Sequence, residues 1–274
     1  MGNNKEYLSS RPIPDILTAE LDLISEGSRV LEIGIGTGRI LEYIGKTRKN
    51  VHLIGIENDS GLAESARKSL PQAEIIYIDA LSSWNIRPSV DFVISVNTIH
   101  EVVASRKEEE RKRKFESFVA QTVLNIARNG ELLLFDGLMP TQSEREVELV
   151  PKNQDGVDSF LFFAQTYLAK GIDYAKTQDN HIHLTQADLF AFFTKFPYLR
   201  NPELWRHEKT QFYPFLALDD IEAIIKGFGF DVLSVVHPNT RRGLDRFLQQ
   251  YSVVEFDRYT FPQVQFLMKA RQKY

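Results

Sequence analysis

The chain has 274 residues, 43% of them hydrophobic, and a formal net charge of −4. That length suits one large domain or a core with a sizeable insert, and the acidic balance leaves no global basic footprint for nucleic acid. With no cysteine present, disulfides, thiolate zinc sites and cysteine nucleophiles are excluded. No apolar run reaches the length of a bilayer crossing, and MGNNKEYLSSRPIP at the start lacks the apolar core of a signal peptide. A cytoplasmic protein with no membrane partner is therefore expected.

Residues 1 to 28 read as an N-terminal cap segment, in which Pro12 and Pro14 interrupt any long helix and DILTAELDLI forms a short one. SRVLEIG predicts a buried strand near 29 to 33. Gly34, Gly36 and Gly38 then turn the chain into the helix GRILEYIGKTR. VHLIGIE (51 to 57) predicts a second strand, SGLAESARKSL a second helix stopped before Pro71, and AEIIYID a third strand ending at Asp79. VDFVISV (90 to 96) predicts a fourth strand, a charged helix follows within 105 to 127, and GELLLFDG predicts a fifth strand near 131 to 135. These runs are continuously apolar, as strands covered on both faces by crossover helices are. An open, doubly wound α/β sheet follows, with its ligand crevice at the strands' carboxyl ends.

The rhythm breaks after Pro140. Residues 141 to 215 read as an insert whose runs SFLFFAQTYLAKG and TQADLFAFFTKF are helical and aromatic-rich, with Thr185 capping the second. It is expected to form a substrate lid, a packed helical subdomain or a homodimer surface. The core resumes over 216 to 274 with LALDDIEAIIKGFGF as a helix, DVLSVV and FPQVQFLMKA as strands, and a loop with a helix within 239 to 256. Asp219 and Asp220 fall where acids cap or charge-stabilise a first turn.

VLEIGIGTG is the strongest local feature. Glycine allows sharp dihedrals and close ligand approach, and the following helix start offers amide donors. Two strand-end acids suggest a nucleoside ligand: Glu57 is placed to bind ribose hydroxyls, and Asp79 to receive an adenine amino group. A dinucleotide fingerprint would space its glycines G-x-G-x-x-G, unlike Gly34, Gly36 and Gly38. Glu32, two residues before the first glycine, suits an ammonium group better than a pyrophosphate.

These residues resemble the class I S-adenosylmethionine-dependent methyltransferases. LEIGIGTG is similar to their first motif, GIEND to the acidic end of strand two, and IDA to the adenine-contacting segment. DFVISVNTIHEV resembles the strand-four segment of their small-molecule branches, and ARNGELLLFDG the entry to strand five. The resemblance covers 1 to 140 and 216 to 274. It implies a seven-stranded, mostly parallel sheet of order 3-2-1-4-5-7-6, a core over 29 to 140 and 216 to 274, and a helical insert after strand five. The implied cofactor is S-adenosyl-L-methionine. Glu32 would lie near its ammonium, with Gly34, Gly36 and Gly38 bordering it. Glu57 and Asn58 would reach ribose, Asp79 and Ala80 adenine, and Asn97 would lie beneath the methionine part. Tyr7 and Arg11 would close over it, Arg11 pairing with its carboxylate.

For the acceptor, NTIH (97 to 100) stands where relatives that methylate base or glutamine amino groups carry Asn-Pro-Pro-aromatic, so a small organic molecule is expected and nucleic acid is not. RNA or protein methylation and a noncatalytic adenosyl-ligand-binding role are the alternatives. RKEEERKRK (106 to 114) mixes its charges as an exposed helix surface does. HIH (181 to 183) would put two imidazoles on one strand face, but lacks the further ligands of a metal site, so no metal is expected. His100 is the candidate substrate-facing base, with a structural hydrogen-bonding role as the other reading. His207, Tyr213 and His237 are further candidates. Oxygen and nitrogen acceptors are both open, since each needs a proton acceptor and neither a covalent enzyme nucleophile, and carbon is open as a further acceptor.

Overall fold

In the computed structural model, the described residues are 13–105, 107–169, 171–238, 241–256 and 261–273. Tyr7, Arg11 and the rest of residues 1–12 of the N-terminal cap segment lie outside them.

The opening apolar runs form the expected alternation. Helix α1 (Asp15–Leu21) leads into β1 (Arg29–Ile33), α2 (Arg39–Thr47), β2 (His52–Glu57), α3 (Ser60–Ser69), β3 (Glu74–Tyr77) and β4 (Val90–Val96). A short turn of helix, α4 (Ile99–Val102), precedes the long α5 (Glu108–Asn125) and β5 (Ile126–Gly137). Helix α2 buries Ile40, Leu41 and Ile44, one stripe at helical spacing. Helix α3 starts where the Asp59 carboxylate accepts the Leu62 amide at 2.8 Å. The charged run is mostly paired at the surface, with Lys112 3.0 Å from both Glu108 and Asp220 and Lys114 3.5 Å from Glu110, while Arg111 turns inward and is buried.

Near the end of the chain, α9 (Leu218–Gly227), β9 (Phe230–Val236) and β11 (Gln265–Gln272) complete the sheet. Its order is β3-β2-β1-β4-β5-β11-β9, with β11 antiparallel to both neighbours. This is the expected 3-2-1-4-5-7-6 arrangement. One face is covered by a cluster containing Phe115, Phe118, Ile221 and Phe266, and the other by Leu17, Ile40, Leu41 and Ala63.

The insert carries the expected helices, α6 (Gln154–Thr166) and α7 (Gln186–Lys195), together with α8 (Pro202–Glu208). Thr185 caps α7, its hydroxyl accepting the Asp188 amide at 3.1 Å. The insert also contains a second, four-stranded sheet that the helical description omits. It comprises β6 (Glu146–Pro151), β7 (Tyr174–Lys176), β8 (Ile182–Thr185) and β10 (Tyr251–Val253), in the order β10-β6-β8-β7. Strands β6 and β8 turn Val147, Leu149, Ile182 and Leu184 inward. Strand β10 and its preceding helix α10 (Arg241–Gln250) come from the chain between β9 and β11. That stretch falls inside the sequence boundary 216 to 274, but Phe247 and Tyr251 are fully buried in the insert's cluster. The insert is therefore assembled from two separate segments of chain.

Its aromatic side chains form a core. Phe192 is the hub, with ring centroids of Phe160, Phe163, Phe196, Phe247 and Tyr251 between 5.1 and 5.9 Å away. Phe190 and Phe193 are buried beside it, whereas Phe162 is exposed and Tyr198 is only partly buried. The aromatic run thus holds the insert together.

Candidate cofactor and acceptor site

The carboxyl ends of β3, β2, β1 and β4 stand side by side, and bring the predicted cofactor residues onto one edge. Gly34 and Gly38 adopt left-handed backbone, at φ 75° and 88°. A Cβ on Gly34 would meet Thr98 Cγ2 at 2.2 Å, and one on Gly38 would meet Leu70 Cδ1 at 2.5 Å. Gly36, also left-handed, has nothing within 4 Å of its Cβ position. The loop is packed at both ends and open at its centre, the shape of a cradle.

Glu57 braces that loop. Its Oε2 accepts the Gly36 amide at 2.8 Å, and its Oε1 accepts the Asn58 and Asp59 amides at 2.9 Å each. Glu32 sits at the end of β1, 2% exposed, with Oε2 lacking any hydrogen-bond partner. Burial pushes its carboxyl well above the ordinary 4.5. The Leu41 backbone and the Arg39 charge oppose this, and the Glu57 charge adds to it. Asp79 is exposed two residues beyond the end of β3, its Oδ1 accepting the Leu81 amide at 2.7 Å, while Ala80 is buried. Asn58 is exposed beside Glu57.

At the end of β4 the chain turns through Asn97, held left-handed at φ 51°, whose amide donates to Phe135 O at 2.7 Å. The fully buried Asp136 on β5 organises the next residues. Its Oδ2 accepts the Thr98 and His100 amides at 3.1 and 3.3 Å, and its Oδ1 accepts the Gly137 amide at 2.7 Å. The same Oδ1 lies 2.7 Å from His100 Nδ1. A carboxylate acceptor there puts the proton on Nδ1 and makes Nε2 the basic nitrogen of the neutral ring. His100 is only 3% exposed. Burial alone would lower its pKa. The Asp136 charge and hydrogen bond, with the Glu101 charge, outweigh burial and a smaller opposing effect of Lys195, so the pKa rises above 6.5.

The insert reaches this edge through the segment returning to the core. The Tyr213 ring stands edge-on to His100, with centroids 4.6 Å apart, and its hydroxyl donates to Asn97 Oδ1 at 2.5 Å. Gln211 Nε2 donates to Glu101 Oε1 at 2.6 Å and lies 2.7 Å from His207 Nε2. Lys195, 1% exposed, pairs with Glu208 at 2.7 Å and places Nζ 5.9 Å from the Tyr213 ring centre. Sequence reasoning reached His100, His207 and Tyr213 but missed Asp136, Glu101, Gln211 and Lys195. Asp136 had a readable signal, an acid closing the apolar strand LLLFDG as Glu57 closes LIGIE. The others had none, because tertiary packing brings them together.

Elsewhere, His237 Nδ1 lies 3.0 Å from Gln265 O. His181 pairs with Glu148, and His183 lies 3.4 Å from Glu146. Among the described residues no group of three or more histidines or acids could hold a metal, and no helix is long and apolar enough to cross a membrane.

The reversed last strand, the glycine cradle and the strand-end acids define an open α/β fold built to hold a nucleoside ligand at its carboxyl edge. Residues 30–115 match the family model described as a methyltransferase domain. A protein of invertebrate iridescent virus 6 named as a methyltransferase is 32% identical over 90 residues, covering 33% of this chain and 32% of its own. An uncharacterized methyltransferase of Oceanobacillus iheyensis is 31% identical over 85 residues, covering 31% and 39%. The chain thus spans about a third of the length of these curated relatives. Solved S-adenosylmethionine-dependent methyltransferases from Aquifex aeolicus and Mesorhizobium loti share the fold. The first has a TM-score of 0.52 at 13% identity, covering 98% of this chain and 97% of its own; the second has 0.53 at 13%, covering 94% and 96%. This chain carries the class I S-adenosylmethionine-dependent methyltransferase fold, and that fold implies S-adenosylmethionine as cofactor. The residues fit such a ligand: the buried Glu32 Oε2 has no hydrogen-bond partner, and the loop centre at Gly36 is open.

Proposed function

We propose that this protein transfers the methyl group of S-adenosylmethionine to an oxygen or nitrogen of a small organic molecule. The cofactor would be held by Glu32 at its ammonium, by Gly34, Gly36 and Gly38 along the loop, and by Glu57 and Asn58 at ribose. Asp79 and Ala80 would meet adenine, and Asn97 would support the methionine part. When bound, it supplies an electrophilic methyl carbon on a sulfonium sulfur.

The observation that carries the reading is the His100–Asp136 pair, with His100 two residues beyond the Thr98 side chain that packs on the cradle at Gly34. Asp136 fixes the imidazole, leaving Nε2 to take the proton that a hydroxyl loses as its oxygen bonds the methyl carbon, or that a neutral amine sheds once methylated; the methyl–sulfur bond would break and its electron pair stay on sulfur, leaving the neutral thioether S-adenosylhomocysteine. Lys195, Tyr213 and Gln211 wall this edge from the insert side and align the acceptor while limiting water. The paired charges of α5 and the net acidity disfavour an RNA acceptor, and a held imidazole is more than an adenosyl-binding protein without turnover needs.

Labelled-methyl transfer across metabolite, peptide and RNA pools tests the acceptor class, with label expected in the metabolite pool. Efficient transfer only to RNA or protein would sink the small-molecule reading. With the acceptor in hand, His100→Ala is expected to lower turnover by about a hundredfold or more. Wild-type activity should fall with acidity through a midpoint above 6.5, because the base works as the neutral ring and its pKa is raised. Full activity in His100→Ala would assign His100 the structural role instead.

A further inference from the structure

Tyr213 walls the acceptor edge and also touches the residue proposed to lie beneath the cofactor, Asn97. It lies on the segment running from the insert back into α9. Its hydroxyl donates to Asn97 Oδ1 at 2.5 Å and accepts from Gln265 Nε2 at the start of β11. Its ring packs edge-on against His100, and the Lys195 ammonium of the insert lies 5.9 Å from the ring centre. The backbone beneath is closely fitted: a Cβ on Gly137 would stand 2.5 Å from Tyr213 O. Two residues on, Phe215 O accepts the buried Arg111 Nε at 2.7 Å, and the Arg111 guanidinium lies over the Phe212 ring at 5.4 Å. The segment is therefore pinned to the core on both sides of Tyr213.

Asn97 has the rarer left-handed backbone for a side-chain-bearing residue, and its side-chain orientation is set by the Tyr213 hydroxyl. We infer that Tyr213 is a positioning residue that couples the cofactor floor at Asn97 to His100 and to the insert, so that cofactor binding tightens the insert over the acceptor edge before the acceptor enters. This rests on the proposed placement of Asn97 beneath the cofactor. The phenol acts through Asn97 and takes no part in the chemistry. The expected consequence is ordered binding, cofactor first.

Calorimetry with S-adenosylhomocysteine on the full chain tests this without any acceptor. Tyr213→Phe keeps the ring against His100 and removes the hydroxyl with its bonds to Asn97 and Gln265. Its dissociation constant should rise by about fivefold, the worth of one ordinary hydrogen bond. Asn97→Gly preserves the left-handed backbone; in that background Tyr213→Phe should add nothing. Hydrogen exchange supplies a second readout. S-adenosylhomocysteine should protect the amides of 209–216 in the wild type and protect them less in Tyr213→Phe, with unfolding curves confirming that each variant is folded. Equal affinity and equal protection in wild type and Tyr213→Phe would overturn the coupling while leaving the cofactor reading intact. Failure of the wild type to bind S-adenosylhomocysteine would instead remove the cofactor reading and this inference with it. An undiminished effect of Tyr213→Phe in the Asn97→Gly background would show that the phenol does not act through Asn97.

Discussion

The core and the insert are both sheets covered by helices, but they are held together differently. In the core, β1, β2 and β3 alternate with helices and pair with their neighbours in chain order, although β1 also pairs with the later β4 and β5 with the reversed β11. The core's site is made largely from backbone: loop amides gathered by Glu57 and the β4 turn gathered by Asp136. In the insert, Val253 pairs with Leu149, and Phe247 packs on Phe192 from a separate segment. Strands of three to six residues survive there because a dense aromatic cluster covers them. The site edge of the core is gathered by carboxylates on backbone amides, whereas the insert is held by aromatic burial between two segments of chain.

That contrast can be broken most sharply at Phe192. Replacing it with alanine empties the hub of the insert and should cost about 3–5 kcal/mol of stability in urea unfolding. The core should keep its S-adenosylhomocysteine affinity if the regions fold with separate cohesion, and collapse of binding together with the insert would show one cooperative unit. In the core, Glu57→Ala leaves three loop amides without their carboxylate. It should destabilise by about 2 kcal/mol and weaken S-adenosylhomocysteine by a similar amount, since hydrogen bonds to charged groups are each commonly worth about 1.5–3 kcal/mol and water replaces part of the loss. Unchanged affinity in a folded variant would confine Glu57 to bracing the loop.

A third test uses pH. The Glu32 carboxyl has its pKa raised by burial above 4.5 in the folded protein. The folded state therefore holds that proton more tightly than the unfolded chain. The resulting stability is fully present below 4.5 and is lost as pH rises through the higher folded value. Glu32→Gln should flatten that part of the stability profile. A ligand ammonium beside Glu32 would favour the carboxylate, so S-adenosylhomocysteine should release a proton on binding just below the raised value of the free folded protein. Calorimetry in buffers of different ionisation enthalpy reads this directly, and binding without proton release would move the ammonium away from Glu32. The smallest expected effect lies in the insert. Thr185→Ala removes the α7 cap and should cost about 1 kcal/mol, with cofactor affinity unchanged. A loss of affinity there would mean that the start of α7 is coupled to the site.

Most of the core was legible because its signals are local. The strands ending at Glu57 and Val96, the left-handed glycines and the Thr185 cap each depend on residues within one or two turns of chain. Glu57 was legible as the acid closing its strand, but its three amide partners were not, because they depend on how the loop folds back over the strand end. The aromatic run of the insert suggested a cover over the acceptor, yet the same residues satisfy one another first. Apolar side chains carry no mark distinguishing a core from a pocket wall.

Alternation of apolar runs with glycine and acid punctuation determined the doubly wound sheet, its carboxyl edge and the place of His100 just beyond the fourth strand, since short-range periodicity dictates which face is buried. Only the tertiary structure decided that β10 joins the insert, that Asp136 holds His100, and that Tyr213 links Asn97 to both. Those contacts join residues far apart in the chain, and their energies exist only after the backbone has brought the partners within bonding distance.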